Sequence, residues 1–271
     1  MRMTDYPAIN KFTEDQIMIV DGNGGTKKIT IADAILAALH MTSPTNHRLV
    51  FRGKNLGTVV TTEQLAAIQA GTFEGLWLGD YWVINGTTWR IADFDYWYGK
   101  GDTKCTKHHV VIIPDNSLGR IQMNDNSGTV GGYIGSKAYT TNLATAKTAI
   151  TSAFGDSIIT HRQYFTNAVT SGAPSAGAWC DSSIDLPSEI MMYGSRIVGA
   201  KPSDTGTSIN DTIDSTQLAL FQARPEYIAI NSTWLRDVVS TNKFAVVHSQ
   251  GIVYACNADW EIEARPVFAI G

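Results

Sequence analysis

Runs of basic residues are absent from this chain. Its 21 Lys and Arg are outnumbered by 25 Asp and Glu, giving a formal net charge of -4. Affinity for nucleic acid rests largely on cations that neutralise phosphates, so a nucleic-acid partner is not expected. Long apolar runs are absent too. No stretch approaches the roughly 20 residues that span a bilayer, and the opening MRMTDYPAIN has no apolar core of a secretory signal. Membrane insertion is therefore not expected. Cysteine is scarce: Cys105, Cys180 and Cys256 are odd in number and widely spaced, and make neither a disulfide framework nor a zinc site. Charged residues of all kinds reach only 17%. What is present is 44% apolar residues, 24 Gly, 7 Trp and 10 Tyr in 271 residues, the composition of a globular, loop-rich protein with much uncharged surface.

The first 43 residues read as a unit of their own. Ile17–Val20 and Lys27–Ile31 are short strand-like runs around the turn cluster Asp21–Gly25, and Ala32–His40 is Ala/Leu-rich and helical. The glycine cluster is not a phosphate loop, because Gly25-Thr26-Lys27 lacks the Gly-Lys-Ser/Thr order. Ser43–Asn46 marks a boundary. Beyond it Leu49–Gly57 suggests a strand, and Thr61-Thr62-Glu63-Gln64 has capping-box spacing for a helix that Gly71 closes. Asn85-Gly86 between Trp77–Ile84 and Thr87–Ala92 signals a β-hairpin. His109–Pro114 reads as a buried strand. Tyr139, Leu143, Ala146, Ile150 and Phe154 share one helical face, with Gly155 as the stop. Leu186–Glu189 opens a short helix ending near Gly194. Lys201–Asp214 is a polar excursion loop, and Ser232–Gly271 is strand-like throughout.

Catalytic signatures are missing. His108 and His109 are neighbours on a strand, point to opposite faces and cannot readily share an ion. Four-ligand zinc spacing and the EF-hand loop are absent, so no metal and no cofactor is expected. There is no Gly-x-Ser-x-Gly elbow. Cys180 reads as an inert buried thiol and His161 as a strand histidine bonded to its neighbours. Asp93 and Asp95 read as solvated strand ends. The aromatic crowd from Trp77 to Tyr98 is either the core of packed strands or a sugar-stacking platform.

The C-terminal stretch carries a recognisable frame: Thr233-Trp234-Leu235-Arg236-Asp237-Val238-Val239-Ser240, then Phe244-Ala245, Gly251, and Ala264-Arg265-Pro266-Val267-Phe268-Ala269-Ile270-Gly271. It resembles C-type-lectin-fold domains of phage and prophage virion proteins of gut Firmicutes. Trp89–Asp93 through His108–Asp115, and Gly131–Ser136, look like the same group, and Val20–Ile29 is similar to N-terminal segments of phage structural proteins. The resemblance implies an α+β protein: an attachment and oligomerisation segment over 1–43, then a C-type-lectin-like ligand-binding domain over 44–271. In such proteins this frame is often diversified by a retroelement, a fixed scaffold carrying hypervariable positions. Between Phe244 and Arg265 the residues Val246, His248, Ser249, Gln250, Ile252, Tyr254, Cys256, Asn257, Asp259, Trp260 and Ile262 follow no core logic, a mixture that a binding surface tolerates.

The expectation is therefore a non-enzymatic virion-surface protein, a fibre or decoration subunit, binding a bacterial cell-surface protein or glycan. Trp260, Tyr254 and Ile252 would be anchors, and Asn257, Asp259, His248 and Gln250 polar contacts. Trp234, Arg236, Arg265 and Phe268 would hold the scaffold. Other virion proteins would be partners, and avidity on a repetitive surface suggests a homo-oligomer, a trimer as a guess. Two alternatives stand beside it: a purely structural head or tail protein, and an enzyme of the formylglycine-generating type. Against the latter, Cys180 and Cys256 do not sit in that family's motif. The calcium motifs of sugar-binding C-type lectins are also missing, so calcium and sugar specificity are not carried over.

Overall fold

The computed structural model describes residues 17–20, 27–30, 44–165, 169–170, 173–174, 177–199 and 216–271. The chain divides into two compact units, residues 1–42 and 43–271. In the first, β1 (Ile17–Val20) pairs antiparallel with β2 (Lys27–Thr30), in the register Ile17 to Thr30 and Val20 to Lys27. The helix expected over Ala32–His40 lies outside the described residues, as does the Lys201–Asp214 loop.

The second unit is α+β, with few helices and mostly antiparallel sheets. Its first sheet has the order β11-β16-β5-β4-β3: Ile184–Asp185, Val267–Ile270, Val110–Pro114, Thr87–Phe94 and Tyr81–Ile84. The Asn85-Gly86 turn joins β3 to β4, and both residues have positive φ, 51° and 78°, as a two-residue hairpin turn of type I′ requires. β5 is buried along its whole length, and the C-terminal strand β16 lies beside it with Phe268 opposite Ile112. A second sheet has the order β14-β13-β12-β15-β6: Val253–Asn257, Lys243–Val247, Thr233–Val238, Ile262–Glu263 and Arg120–Ile121. This sheet is a partition. Leu235, Ala245 and Val247 join one core cluster, which includes Trp82, Trp89 and Phe268. Trp234, Val238, Phe244 and Val246 join a second, with Tyr133 and Phe165. Strand side chains alternate between faces, so a sheet with core on both sides is apolar at successive positions.

Short helices pack on interior strands, Pro44–His47 and Ala219–Ala223 on Thr87–Phe94 and Glu189–Tyr193 on Thr233–Val238. α1 is the single turn Pro44–His47. α2 (Thr62–Gln69) has the complete capping box: Gln64 N donates to Thr61 Oγ1 at 3.2 Å and Thr61 N to Gln64 Oε1 at 3.0 Å. α3 (Ala144–Phe154) buries Ala146, Ile150 and Phe154, preceded by a wide turn over Ala138–Asn142 that buries Ala138. α4 (Glu189–Tyr193) is capped by Ser188 and stopped by Gly194, as its sequence signals indicate. α5 is Ala219–Ala223. β7 (His161–Phe165) and β10 (Ala178–Ser182) form a two-stranded ribbon, and β8 (Val169–Thr170) pairs with β9 (Ala173–Pro174).

Three expectations are corrected here. Leu49–Gly57 makes isolated bridges, Phe51 to Leu78 and Asn55 to Tyr81, and no continuous strand. Gly53 and Gly57 take φ of 70° and 116°, outside strand geometry, and Asn55 Oδ1 accepts from Gly57 N to make a local turn. Trp77–Ile84 becomes a strand only from Tyr81. Asp93 is no solvated strand end: it is buried and accepts from Arg48 Nε and Nη2 at 2.8 and 2.9 Å and from Ala219 N at 3.0 Å. Asp95 is mostly buried as well, bonded to His108 Nδ1 and His109 N. Of the aromatic crowd, Trp77, Trp82, Trp89, Phe94, Tyr96 and Trp97 are buried core, and Tyr98 is exposed and stacked on His108 at 4.4 Å.

Candidate binding face at the C-terminal frame

The scaffold residues of the frame are built as core. Trp234 is fully buried, and its Nε1 donates to the Ile121 carbonyl at 2.9 Å. Phe268 packs against Trp89 and Phe154, with ring centroids 5.8 and 5.0 Å apart. Arg265 is buried and donates to the carbonyls of Pro114 and Tyr227, both at 2.6 Å, and burial pushes its pKa down to about 10. Arg236 is buried with its guanidinium 4.9 Å over the Phe165 ring.

The eleven expected contact residues do not form one surface. Val246, Cys256 and Ile262 are buried, which removes them from any ligand. Val246 lies on β13, an interior strand, opposite Tyr254, and Cys256 lies opposite Phe244. Both face the second core cluster, and Ile262 joins it from β15. Their mixed chemistry conceals an ordinary period-2 pattern, with Phe244, Val246, Tyr254 and Cys256 on one face. Burial also raises the Cys256 thiol pKa, so it is no thiolate.

The other eight fall at the two ends of β14. At one end the β13–β14 connection carries His248, Ser249, Gln250 and Ile252. His248 N donates to Ile252 O at 2.7 Å, Gln250 N to His248 Nδ1 at 3.1 Å and Ser249 N to Ser232 Oγ at 3.3 Å. The His248 ring meets the half-buried Tyr254 edge to face at 5.5 Å, and Ile252 is 59% exposed. At the other end Asn257, Asp259 and Trp260 form a tight loop closed by Trp260 N donating to Asn257 O at 3.1 Å. Five strand residues at about 3.4 Å each separate the two ends by about 17 Å.

The Trp260 end is the more strongly built. Asn124 N donates to Ala258 O (2.9 Å), Ala258 N to Asn242 O (3.0 Å), Gln122 Nε2 to Asp259 O (2.6 Å), Ser127 Oγ to Asp259 Oδ1 (2.9 Å) and Arg120 Nη2 to Glu261 O (2.5 Å). On this fastened loop Trp260 is 54% exposed. Asn124, which bonds to this loop, also lines a cleft of about 420 Å³ together with Asp125, Asn126, Val130, Lys137 and Thr140. Val130 is 85% exposed there, and Lys137 pairs with Asp125. Sequence reasoning did not find the 120–130 segment as part of this face. Its contacts with residues 258–261 span about 130 positions, and no local pattern signals them.

The remaining chemically active side chains are dispersed. His109 is buried and its Nδ1 donates to Lys107 O (2.9 Å) while its Nε2 accepts from Trp97 N (3.1 Å), and His108 is half-buried. Among the described residues no group of three or more His, Cys, Asp or Glu is placed to hold a metal, and no helix is long and apolar enough to cross a membrane. All three cysteines are free, and burial raises each thiol above its ordinary pKa. No protein-family model, curated protein or solved structure matches the chain.

Proposed function

We propose that the protein is a phage or prophage virion protein, a fibre or decoration subunit, whose C-type-lectin-like domain binds a protein or glycan on a bacterial surface. The observation that carries this reading is the mounting of Trp260. A half-exposed indole leaves much of its apolar surface in water, yet the loop beneath it is held by six hydrogen bonds, five with residues 120–127 and 242 and one within the loop itself. Aromatic side chains fixed before contact supply binding area at low entropic cost. The face centres on Trp260 with Asn257, Asp259 and the rim at Val130. His248, Ser249, Gln250, Ile252 and Tyr254 serve a second contact, reachable together with the first only by a ligand longer than about 17 Å. Residues 1–43 attach the domain to the virion or to sister chains, and a trimer would add avidity.

The test is binding of labelled protein to a panel of gut bacteria. Wild type should bind some strains saturably, and Trp260→Ala should lose binding while keeping its fold. Binding retained by Trp260→Ala, or full-length protein that binds no cell and associates only with virion subunits, would overturn the reading in favour of a structural role.

A further inference from the structure

The two five-stranded sheets have four edges, and three of them are closed or cut short. In the first sheet β11 has only two residues, and β3 is lined by the segment 54–57: Tyr81 N donates to Lys54 O at 2.9 Å, Leu56 N to Tyr81 O at 2.7 Å and Val83 N to Gly57 O at 2.9 Å. In the second sheet β6 has two residues, one of them the exposed Arg120. The fourth edge is β14, five residues paired only with β13 among the described residues, in a register without a bulge. Its sequence, Val253-Tyr254-Ala255-Cys256-Asn257, carries no charge and no proline. Very short strands, charges, prolines, bulges and covering segments are the devices that keep sheet edges from pairing, and among the described residues β14 shows none of them.

The ladder fixes which backbone groups of β14 are turned outward. Ala258 N donates to Asn242 O at 3.0 Å and His248 N to Ile252 O at 2.7 Å, and bonded pairs alternate with unbonded ones along an antiparallel ladder. Cys256 and Tyr254 therefore bond to Phe244 and Val246, and the backbone groups of Val253, Ala255 and Asn257 point away from β13. Asn257 O accepts from Trp260 N at 3.1 Å. The N–H and C=O of Val253 and Ala255 and the N–H of Asn257 have no partner among the described residues. All three residues are half-buried rather than enclosed.

We infer that β14 is a self-pairing edge: two copies of this chain join their β14 strands antiparallel about a two-fold axis at Ala255. The edge is its own complement. Ala255 meets Ala255 of the second copy and Val253 meets Asn257, so each outward N–H finds a C=O, about six hydrogen bonds in all. The methyl at the axis, where a residue faces its own image, spares the pair both a clash of large side chains and a repulsion of like charges. The pairing also unites the eight contact residues that one chain holds in two groups about 17 Å apart. In this register Trp260 of one copy lies level with Gln250 of the other, and Ile252 with Ala258. The loop 257–260 of each copy thus comes beside the turn 248–252 of its mate, and the two groups make one composite face, present twice. An extended strand of another protein would satisfy the same backbone groups but leave the two ends apart. The pairing rests on the edge alone, and the use of the composite face for binding rests on the receptor reading.

The test is cross-linking of the full chain in oxidised glutathione. Residues facing each other in a bonded antiparallel pair have Cα atoms about 5.5 Å apart, within disulfide reach. Ala255→Cys should therefore give a covalent dimer. Ile252→Cys, exposed but about 20 Å from its own image, should not, nor should wild type with its three free cysteines. Light scattering on the reduced protein should give an even multiple of the 29.5 kDa chain. Ala255→Pro, which removes an outward N–H that β13 does not use, should halve that mass and keep the circular dichroism of wild type. An odd multiple, or a disulfide yield for Ala255→Cys no higher than for Ile252→Cys, would overturn the pairing. So would a monomer whose cell binding is lost in Ala255→Pro, which would assign the edge to a strand of the receptor instead. A dimer that cross-links through Ala255→Cys but binds no cell would support the pairing and refute the receptor reading.

Discussion

Serine placed at Val246 and at Ile252 separates the fold from the face within one short hairpin. Val246 is fully buried between Tyr254 on β14 and Trp234 on β12. Val246→Ser removes apolar volume from a packed interior and adds a hydroxyl. The volume loss costs about 2–3 kcal/mol, from transfer of two carbons plus the residual cavity. An unpaired hydroxyl adds about 1–3 kcal/mol. The expected total is about 3–6 kcal/mol. At about 2–4 °C per kcal/mol for a chain of this size, the melting temperature should fall by about 6–24 °C. Ile252 lies only six residues on but is 59% exposed in the connecting turn. Ile252→Ser should cost about 1 kcal/mol or less, a shift under about 4 °C. Thermal melts followed by circular dichroism, with urea titration of the same proteins, give both numbers. Equal losses at the two positions would refute the division of the interval into core and surface, as would a stable, well-folded Val246→Ser.

Asp237 is buried against Glu189, and burial together with that neighbour raises its pKa to about 6. The folded state therefore favours the proton, a contribution present below the unfolded value near 4 and lost as pH rises through 6. Asp237→Asn should accordingly gain on wild type between pH 4.5 and 8, by an amount on the order of 2 kcal/mol, in urea melts at the two pH values. His161 and His109 run the other way: burial depresses both, so their contribution is complete above about pH 6.5 and falls as pH drops below it. His161→Phe should flatten the acid limb of the stability profile, and an unchanged acid limb would contradict the buried neutral ring. Arg48→Met strands the buried Asp93 carboxylate and should cost about 3–5 kcal/mol, part of which Arg48→Met with Asp93→Leu should restore. Alkylation of the native protein should reach the half-buried Cys180 first and leave Cys256 unmodified until unfolding.

Local signals in the amino-acid order were enough for elements whose causes are local. Thr61 and Gln64 sit three residues apart and cap α2, Asn85-Gly86 turns β3 into β4, and Ser188 and Gly194 bracket α4. The apolar spacing from Leu143 to Phe154 was likewise sufficient for α3. In each case partner and partnered group lie within a few residues, so composition and spacing contain the answer. The strand register of Phe244, Val246, Tyr254 and Cys256 was also present in the order of residues, masked by the variety of the side chains.

Tertiary structure alone decided which residues meet across the chain. Asp93 looks like a solvated strand end until Arg48 and Ala219 N close over it. Val246 is core because β13 is flanked by β12 and β14, a position in a sheet that no window of sequence encodes. The Trp260 loop owes its rigidity to Gln122, Ser127 and Asn124. A site assembled from segments tens to more than a hundred residues apart leaves no periodicity to read. Only the folded packing, which weighs every long-range contact against chain entropy at once, brings its members together.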